Sequence, residues 1–234
     1  MFGKNKIMKR EISDTFWVQE IFYTIQGEGP LAGMPAVFVR LGGCNLRCHF
    51  CDTDFESSTT YMTAQEIAQA CAAYKCNLVV ITGGEPFRQN IVDLCNVLIA
   101  ANNVRIQIET AGTLWQDGME DLVDGKLVTI VCSPKTGVVH SGFVRYCFDW
   151  KYIVRKGECS EADGLPNMST QEHKELMIYR AHKGAIWLQP MMEYHEDKTV
   201  DWDKTKENTE YAAALCMKHG YRLTLQLHKM IGLP

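Results

Sequence analysis

Cys44-Asn45-Leu46-Arg47-Cys48-His49-Phe50-Cys51 places three thiols within eight residues, the spacing of a short loop wrapped around a metal. Gly42 and Gly43 just before it permit the sharp backbone turn that such a loop needs. Three chemistries compete. A structural zinc normally takes four protein ligands, and a catalytic zinc takes three, usually with a histidine among them. The other seven cysteines are isolated, with no second tight pair. An iron–sulfur cluster takes a thiolate at each iron, so three cysteines would leave one iron open to a ligand.

More chemistry-bearing residues recur where strand-like segments end. Thr24-Ile25-Gln26 follows a strand read over 18–23, and Thr82-Gly83-Gly84-Glu85 follows a β-branched run at 77–81. Glu109-Thr110 follows 104–108, Ser133-Pro134-Lys135 follows 127–131, and Gln189-Pro190 follows 185–188. His228 follows a last strand read over 221–227. Parallel α/β sheets bind ligands at the carboxyl ends of their strands, so these groups are expected on one rim.

The elements that must carry this rim alternate between strand and helix patterns. Further strands are read at 36–41 and 150–154. Helices are read at 63–74, opened by the capping box Thr63-Ala64-Gln65-Glu66, and at 90–101, where Ile91, Leu94, Cys95 and Leu98 share a face. Ser169-Thr170-Gln171-Glu172 reads as a second capping box, opening a helix that stops near Gly184, and a last helix runs over 203–219. Alternation of this kind implies a mostly parallel sheet. A complete (β/α)8 barrel typically needs about 250 residues; this chain has 234 and few helix signals between Thr110 and Met168. The expectation is an α/β fold, an incomplete, splayed (β/α) barrel with about six core parallel strands and fewer helices than usual, in a single domain over residues 1–234.

Composition narrows the partners. The net charge of −4, with scattered lysines and arginines, offers no basic field for nucleic acid, so a small-molecule substrate is expected. No apolar run approaches the roughly 20 residues of a membrane span, and Met1-Phe2-Gly3-Lys4-Asn5-Lys6 does not resemble a secretory signal. A cytoplasmic location with reduced cysteines is expected.

C-x3-C-x2-C, with aromatic Phe50 between the last two cysteines and Ile81-Thr82-Gly83-Gly84-Glu85-Pro86 downstream, resembles the radical S-adenosylmethionine (SAM) superfamily. The resemblance implies a [4Fe–4S] cluster on Cys44, Cys48 and Cys51. SAM would chelate the open iron and be cleaved to a 5′-deoxyadenosyl radical that takes hydrogen from the substrate. It also implies SAM contacts at Phe50, Asp52, Gly83, Gly84 and Glu85.

The segment from Glu20-Ile21-Phe22-Tyr23 through Gln26-Gly27-Glu28-Gly29 and Phe38-Val39-Arg40-Leu41 to Cys51-Asp52-Thr53 is more specific. With Ser133-Pro134-Lys135, Gln189-Pro190-Met191 and Gln226-Leu227-His228-Lys229, it resembles the 7-carboxy-7-deazaguanine synthase family of the queuosine and deazapurine pathways. The likeness runs from Glu20 to the end of the chain; residues 1–15 match nothing informative. It implies a carbon–nitrogen lyase that contracts 6-carboxy-5,6,7,8-tetrahydropterin to 7-carboxy-7-deazaguanine with loss of ammonia, regenerating SAM. The radical would take hydrogen from C6 of the pterin. Mg2+ would sit at Thr53, a homodimer would form, and reduced flavodoxin would supply electrons.

Further SAM contacts are implied at Glu109, Ser133, Pro134, Lys135 and Gln189. Substrate contacts are implied at Thr24, Ile25, Gln26, Glu28, Arg40, Thr82, His228 and Pro234. These types suit the task. Gln26, Glu28 and the Thr24 backbone can read an amide edge, and Arg40 can clamp a carboxylate. A lone threonine suits an ion that keeps its waters. The plain alternatives are a surface ion pair for Arg40, a turn threonine at Thr53 and a rim histidine at His228. A terminal carboxylate on Pro234 touching substrate would form a charge-assisted bond worth about 1.5–3 kcal/mol. A C-terminal tag should then weaken substrate binding roughly 10- to 150-fold, and a tagged protein with unchanged affinity would remove the role.

Two rivals share parts of this pattern. A glycyl-radical activase also carries C-x3-C-x2-C, but Thr24-Ile25-Gln26-Gly27-Glu28 and Gln226-Leu227-His228 speak for a pterin pocket. A zinc-stapled binding module would hold one zinc and no sulfide.

Overall fold

The computed structural model describes residues 6–58, 60–171 and 174–234. Strands β1 (Thr15–Ile25) and β2 (Pro35–Leu41) form an antiparallel hairpin, and β3 (Thr60–Thr63) pairs with the outer edge of β1. From β2 onward every pairing is parallel, through β4 (Leu78–Gly83), β5 (Arg105–Thr110), β6 (Val128–Cys132), β7 (Asp149–Val154), β8 (Ala185–Pro190) and β9 (Arg222–Leu223). The sheet order is β3-β1-β2-β4-β5-β6-β7-β8-β9, with β3 and β9 at the two edges. This is the open barrel expected, with six full parallel strands and a two-residue seventh.

Period-two alternation decides what each strand offers. Val37, Val39 and Leu41 of β2, Val79 and Ile81 of β4, Ile106 and Ile108 of β5, and Trp150, Tyr152 and Val154 of β7 enter the main apolar core. Their neighbours Phe38, Arg40, Thr82, Glu109, Lys151 and Ile153 line the interior cavity instead. The outer face is covered by α1 (Ala64–Ala72) and α2 (Ile91–Asn102), then by α3 (Met119–Asp124), α4 (Ser141–Tyr146) and α5 (Trp202–His219); α6 (Leu227–Met230) is a single turn. The Thr63 capping box forms as expected, with Glu66 returning to the Thr63 backbone N–H at 2.7 Å.

Two expectations need correction, and three further elements appear. Among the described residues no helix forms between Ser169 and Gly184; Glu172 of the expected capping box lies outside them. Instead the connection between β7 and β8 runs as an irregular strap. Arg180 supplies what a helix would have made internally, donating to Asp163 at 2.7 Å and to the carbonyls of Pro166 and Ile178 at 2.8 and 2.9 Å. Ile178 is buried in the core while Met177 is exposed, so tertiary anchors override local propensity. The last strand is also shorter than 221–227: after Leu223 the backbone turns, and Leu227 starts α6. Gln226 and His228 thereby reach the cavity rather than alternating along an edge. The short helices α3 and α4 and the edge strand β3 were not expected.

Two glycines carry the crossing of β4 with the loop after β2. Gly83 has φ +130°, and a Cβ there would overlap the Leu41 carbonyl; a Cβ at Gly84 would overlap the Gly43 carbonyl. Gly83→Ala combines overpacking with backbone strain, each about 1–3 kcal/mol. A fall in Tm of roughly 5–20 °C is expected for a domain of this size. Calorimetry showing an unchanged Tm would contradict this packing.

Candidate active site

The thiol loop leaves the end of β2 through Gly43, whose φ of +76° faces the Arg88 guanidinium. Gly43 N–H donates to Phe55 O at 2.8 Å and Cys51 N–H to Cys48 O at 3.1 Å, which closes the loop on itself. Residues 7–11 lie across it: Met8 N–H donates to Cys44 O, Glu11 N–H to Arg88 O, and Arg88 to Lys9 O at 2.6 Å. The uninformative N-terminal stretch thus covers the first cysteine.

All three thiols face one cavity of about 440 Å³, within the range of small-molecule sites. Burial, helped by nearby Glu85, pushes the Cys44 thiol up to about 12, and burial pushes Cys51 up to about 11. Thiolates here need a strong cationic partner, which iron supplies. Among the described residues no three His, Cys, Asp or Glu side chains converge tightly enough for one ion. A cuboidal cluster asks only for one thiolate per iron, at wider spacing, and the cysteine-only donor set fits it.

The cavity gathers most of the expected residues. Gln26, Glu28 and Arg40 come from the hairpin, Phe50, Asp52 and Thr53 from the thiol loop, and Thr82, Gly83 and Gly84 from the end of β4. Glu109, Ser133, Lys135 and Gln189 close the far wall, with His228 and Pro234 above. Four residues are not on the wall. Ile25 and Pro134 stay behind it, and Thr24 donates its hydroxyl to Pro234 O at 3.1 Å. Glu85 is the clearest departure from the expected SAM contact. Its fully buried carboxylate turns away to accept from Thr110 Oγ1 at 2.7 Å, Ala111 N–H at 2.8 Å and Phe87 N–H at 3.1 Å. It positions the end of β5, and burial holds its carboxyl above the usual range.

Lys151, missed in the sequence, stands at the centre. Its ammonium bridges Glu28, by a close contact, and Glu109, at 2.8 Å. Two buried carboxylates share one cation. Burial opposes charge on both, but the closer Lys151 contact keeps the Glu28 carboxyl below its ordinary value. Glu109 is raised by burial and by repulsion from Glu28, despite Lys151. Gln226 Nε2 also donates to Glu28, at 2.9 Å. The readable signal for Lys151 was parity: it sits between core residues Trp150 and Tyr152, so it must face the interior.

Lys135 donates to Ser133 Oγ at 2.5 Å, and its ammonium lies 5.6 Å from the centre of the Phe50 ring. Burial lowers its pKa. Arg40 pairs with Glu20 at 2.6 Å, so part of its guanidinium is already engaged. Lys229, unassigned in the sequence, makes a close ion pair with Asp52 and donates to Tyr194 Oη at 3.1 Å, tying the C-terminal turn to the thiol loop. Burial disfavours charge on Asp52, but Lys229 holds its carboxyl below the ordinary value. Thr53 Oγ1 donates to Asp52 at 3.3 Å.

Several buried polar atoms on this wall have no partner among the described residues: Gln26 Nε2, Arg40 Nε, Gln189 Oε1 and His228 Nδ1. Buried groups of this kind are normally satisfied, so their clustering here fits a polar ligand.

Residues 38–140 match the radical SAM superfamily. The 7-carboxy-7-deazaguanine synthase of Rhodospirillum rubrum is 41% identical over 99% of both chains. That of Hyperthermus butylicus is 46% identical over 93% of both. The crystal structure of QueE from Escherichia coli shares the fold, with a TM-score of 0.64 at 22% identity, covering 90% of this chain and 93% of that one. Identity of this extent sets aside the activase and zinc-module alternatives: the chain belongs to the 7-carboxy-7-deazaguanine synthase family of radical SAM enzymes.

Proposed function

We propose that this chain is the lyase that converts 6-carboxy-5,6,7,8-tetrahydropterin to 7-carboxy-7-deazaguanine with loss of ammonia. The observation that carries the reading is one cavity holding both the cysteine trio and the Glu28–Lys151–Glu109 group. When bound, a [4Fe–4S] cluster and SAM supply the radical that abstracts a substrate hydrogen.

The chain's own residues would do the rest. Glu28, kept ionised by Lys151, accepts N–H groups from the guanidine-like edge of the pterin, and Gln26, whose oxygen is held by the Glu28 N–H, adds its Nε2 as a donor beside it. Arg40 offers its free Nε to the carboxylate. Glu109, with its raised pKa, is the carboxyl on this wall best suited to hold a proton. Ser133, Lys135 and Gln189 line the side that SAM would occupy. Thr53 would hold Mg2+ together with substrate oxygens and water. Lys229 and Asp52 hold the C-terminal turn over the opening, which helps exclude water. A homodimer, flavodoxin as reductant and a cytoplasmic setting belong to the same reading. No helix among the described residues is long and apolar enough to cross a membrane.

The test is anaerobic incubation of reconstituted protein with SAM, dithionite, Mg2+ and carboxytetrahydropterin, followed by mass analysis. The expected result is 7-carboxy-7-deazaguanine, one ammonia per product and no net loss of SAM. Reductive cleavage of SAM with the pterin unchanged would overturn the substrate assignment.

A further inference from the structure

The strap between β7 and β8 lays Thr170 and Gln171 on the thiol loop. Its contacts specify the Gln171 carboxamide completely. Arg47 N–H donates to Gln171 Oε1 at 2.6 Å, and since a backbone N–H can only donate, the oxygen must face it. The two amide hydrogens then point the other way. Gln171 Nε2 lies 2.7 Å from Thr170 Oγ1 and 3.2 Å from Cys48 Sγ. Thr170 Oγ1 is itself 3.4 Å from Cys48 Sγ, but its single proton goes to Lys135 O at 3.0 Å. Among the described residues the Gln171 amide is therefore the donor this strap offers to the Cys48 sulfur. Thr170 fixes its angle, and His49 N–H, donating to Thr170 O at 2.9 Å, fixes Thr170.

We propose that Gln171 is a positioning residue for the cluster: its amide donates to the Cys48 sulfur and raises the reduction potential of the [4Fe–4S] centre held there. The inference rests on the reading of Cys44, Cys48 and Cys51 as cluster ligands. Hydrogen bonds to cluster sulfurs stabilise the more negative, reduced state, and so make the electron easier to accept. The chain from Lys135 O through Thr170 and Gln171 to Cys48 also joins the proposed SAM side of the cavity to the cluster side.

The test is a potentiometric titration of the reconstituted cluster without SAM, followed by EPR, in wild type, Gln171→Glu, Gln171→Leu and Thr170→Val. Gln171→Glu retains an oxygen for Arg47 N–H, so it keeps the loop tethered while removing the donor. Both Gln171 variants should lose on the order of tenfold in the equilibrium constant for reduction, about 59 mV for a one-electron couple. Thr170→Val should lose less, because the amide remains. In D2O, the reduced wild-type cluster should show one exchangeable deuteron coupling more than Gln171→Leu, which keeps that of the Leu46 N–H on Cys44 Sγ. Wild-type potentials in both Gln171 variants, with iron and sulfide retained, would overturn this role alone. A wild-type chain that holds no iron or sulfide would overturn the cluster reading itself.

Discussion

Alanine at Cys44, Cys48 or Cys51 should take turnover below detection while the apo protein still folds. The three thiols line the cavity rather than the apolar packing between helices and sheet, so their removal subtracts iron ligands and little else. Two thiolates cannot present a [4Fe–4S] cluster with one open vertex. Cys95→Ala is the informative contrast: Cys95 is fully buried on α2 inside the main core, away from the cavity. That variant should lose stability and keep its cluster. Iron, sulfide and product measured on the same preparations check this. A Cys48→Ala protein with full iron and sulfide and normal turnover would remove Cys48 from the site.

Lys151→Met should be the most costly single change outside the thiol loop. The Lys151 side chain is 8% exposed, and its partners Glu28 and Glu109 are 14% and 13% exposed. Breaking a buried pair by removing one partner costs about 3–5 kcal/mol, because an uncompensated charge stays behind. For a chain of this length that is roughly 6–20 °C in Tm. The deficit should depend on pH. Without the ammonium, both carboxyls have folded-state pKa values above their unfolded values. Their protonated forms then favour folding below an ordinary carboxylate pKa of about 4.3, and this contribution is lost as pH rises through the raised values. The variant should therefore approach wild-type stability near pH 5 and fall away from it toward pH 8. Turnover should drop by about 10²–10³, the usual scale for loss of an oriented charge in a closed site. Lys151→Arg, which keeps the cation, should recover part of the stability. Equal Tm deficits at pH 5 and pH 8 would contradict the shared-cation arrangement.

What was legible in the sequence depended on how local the cause was. The thiol loop and the Thr63 capping box are set largely by near neighbours, and both were readable; the Gly83-Gly84 pair was readable by residue type, although the Leu41 and Gly43 carbonyls that demand it lie far away in sequence. So was the run of parallel strands, because Leu78–Gly83 and Ala185–Pro190 bear the buried-strand pattern. The rim of polar residues followed from strand ends. Glu85 shows the limit: its backbone position follows from the motif, but its side chain is directed by Thr110, 25 residues away. The strap shows it again. Ser169-Thr170-Gln171-Glu172 has the letters of a capping box, yet the Gln171 side chain is engaged by the thiol loop, Thr170 donates to Lys135 O, and Arg180 is held by Asp163. Helices α3 and α4 have six residues each, too few for a helical period to stand out. Lys151 is hidden in the sequence because it stands inside an apolar run, although its place between core residues Trp150 and Tyr152 turns it to the interior.

Three cysteines presenting a cluster with one open iron carry all of the proposed chemistry. The direct measurement is EPR of the fully reduced, anaerobic protein before and after SAM is added, alongside iron, sulfide and zinc analysis. A reduced [4Fe–4S] signal whose shape changes on SAM binding, with four irons and four sulfides per chain, is the expected result. An EPR-silent sample, or one zinc per chain without sulfide, would contradict it.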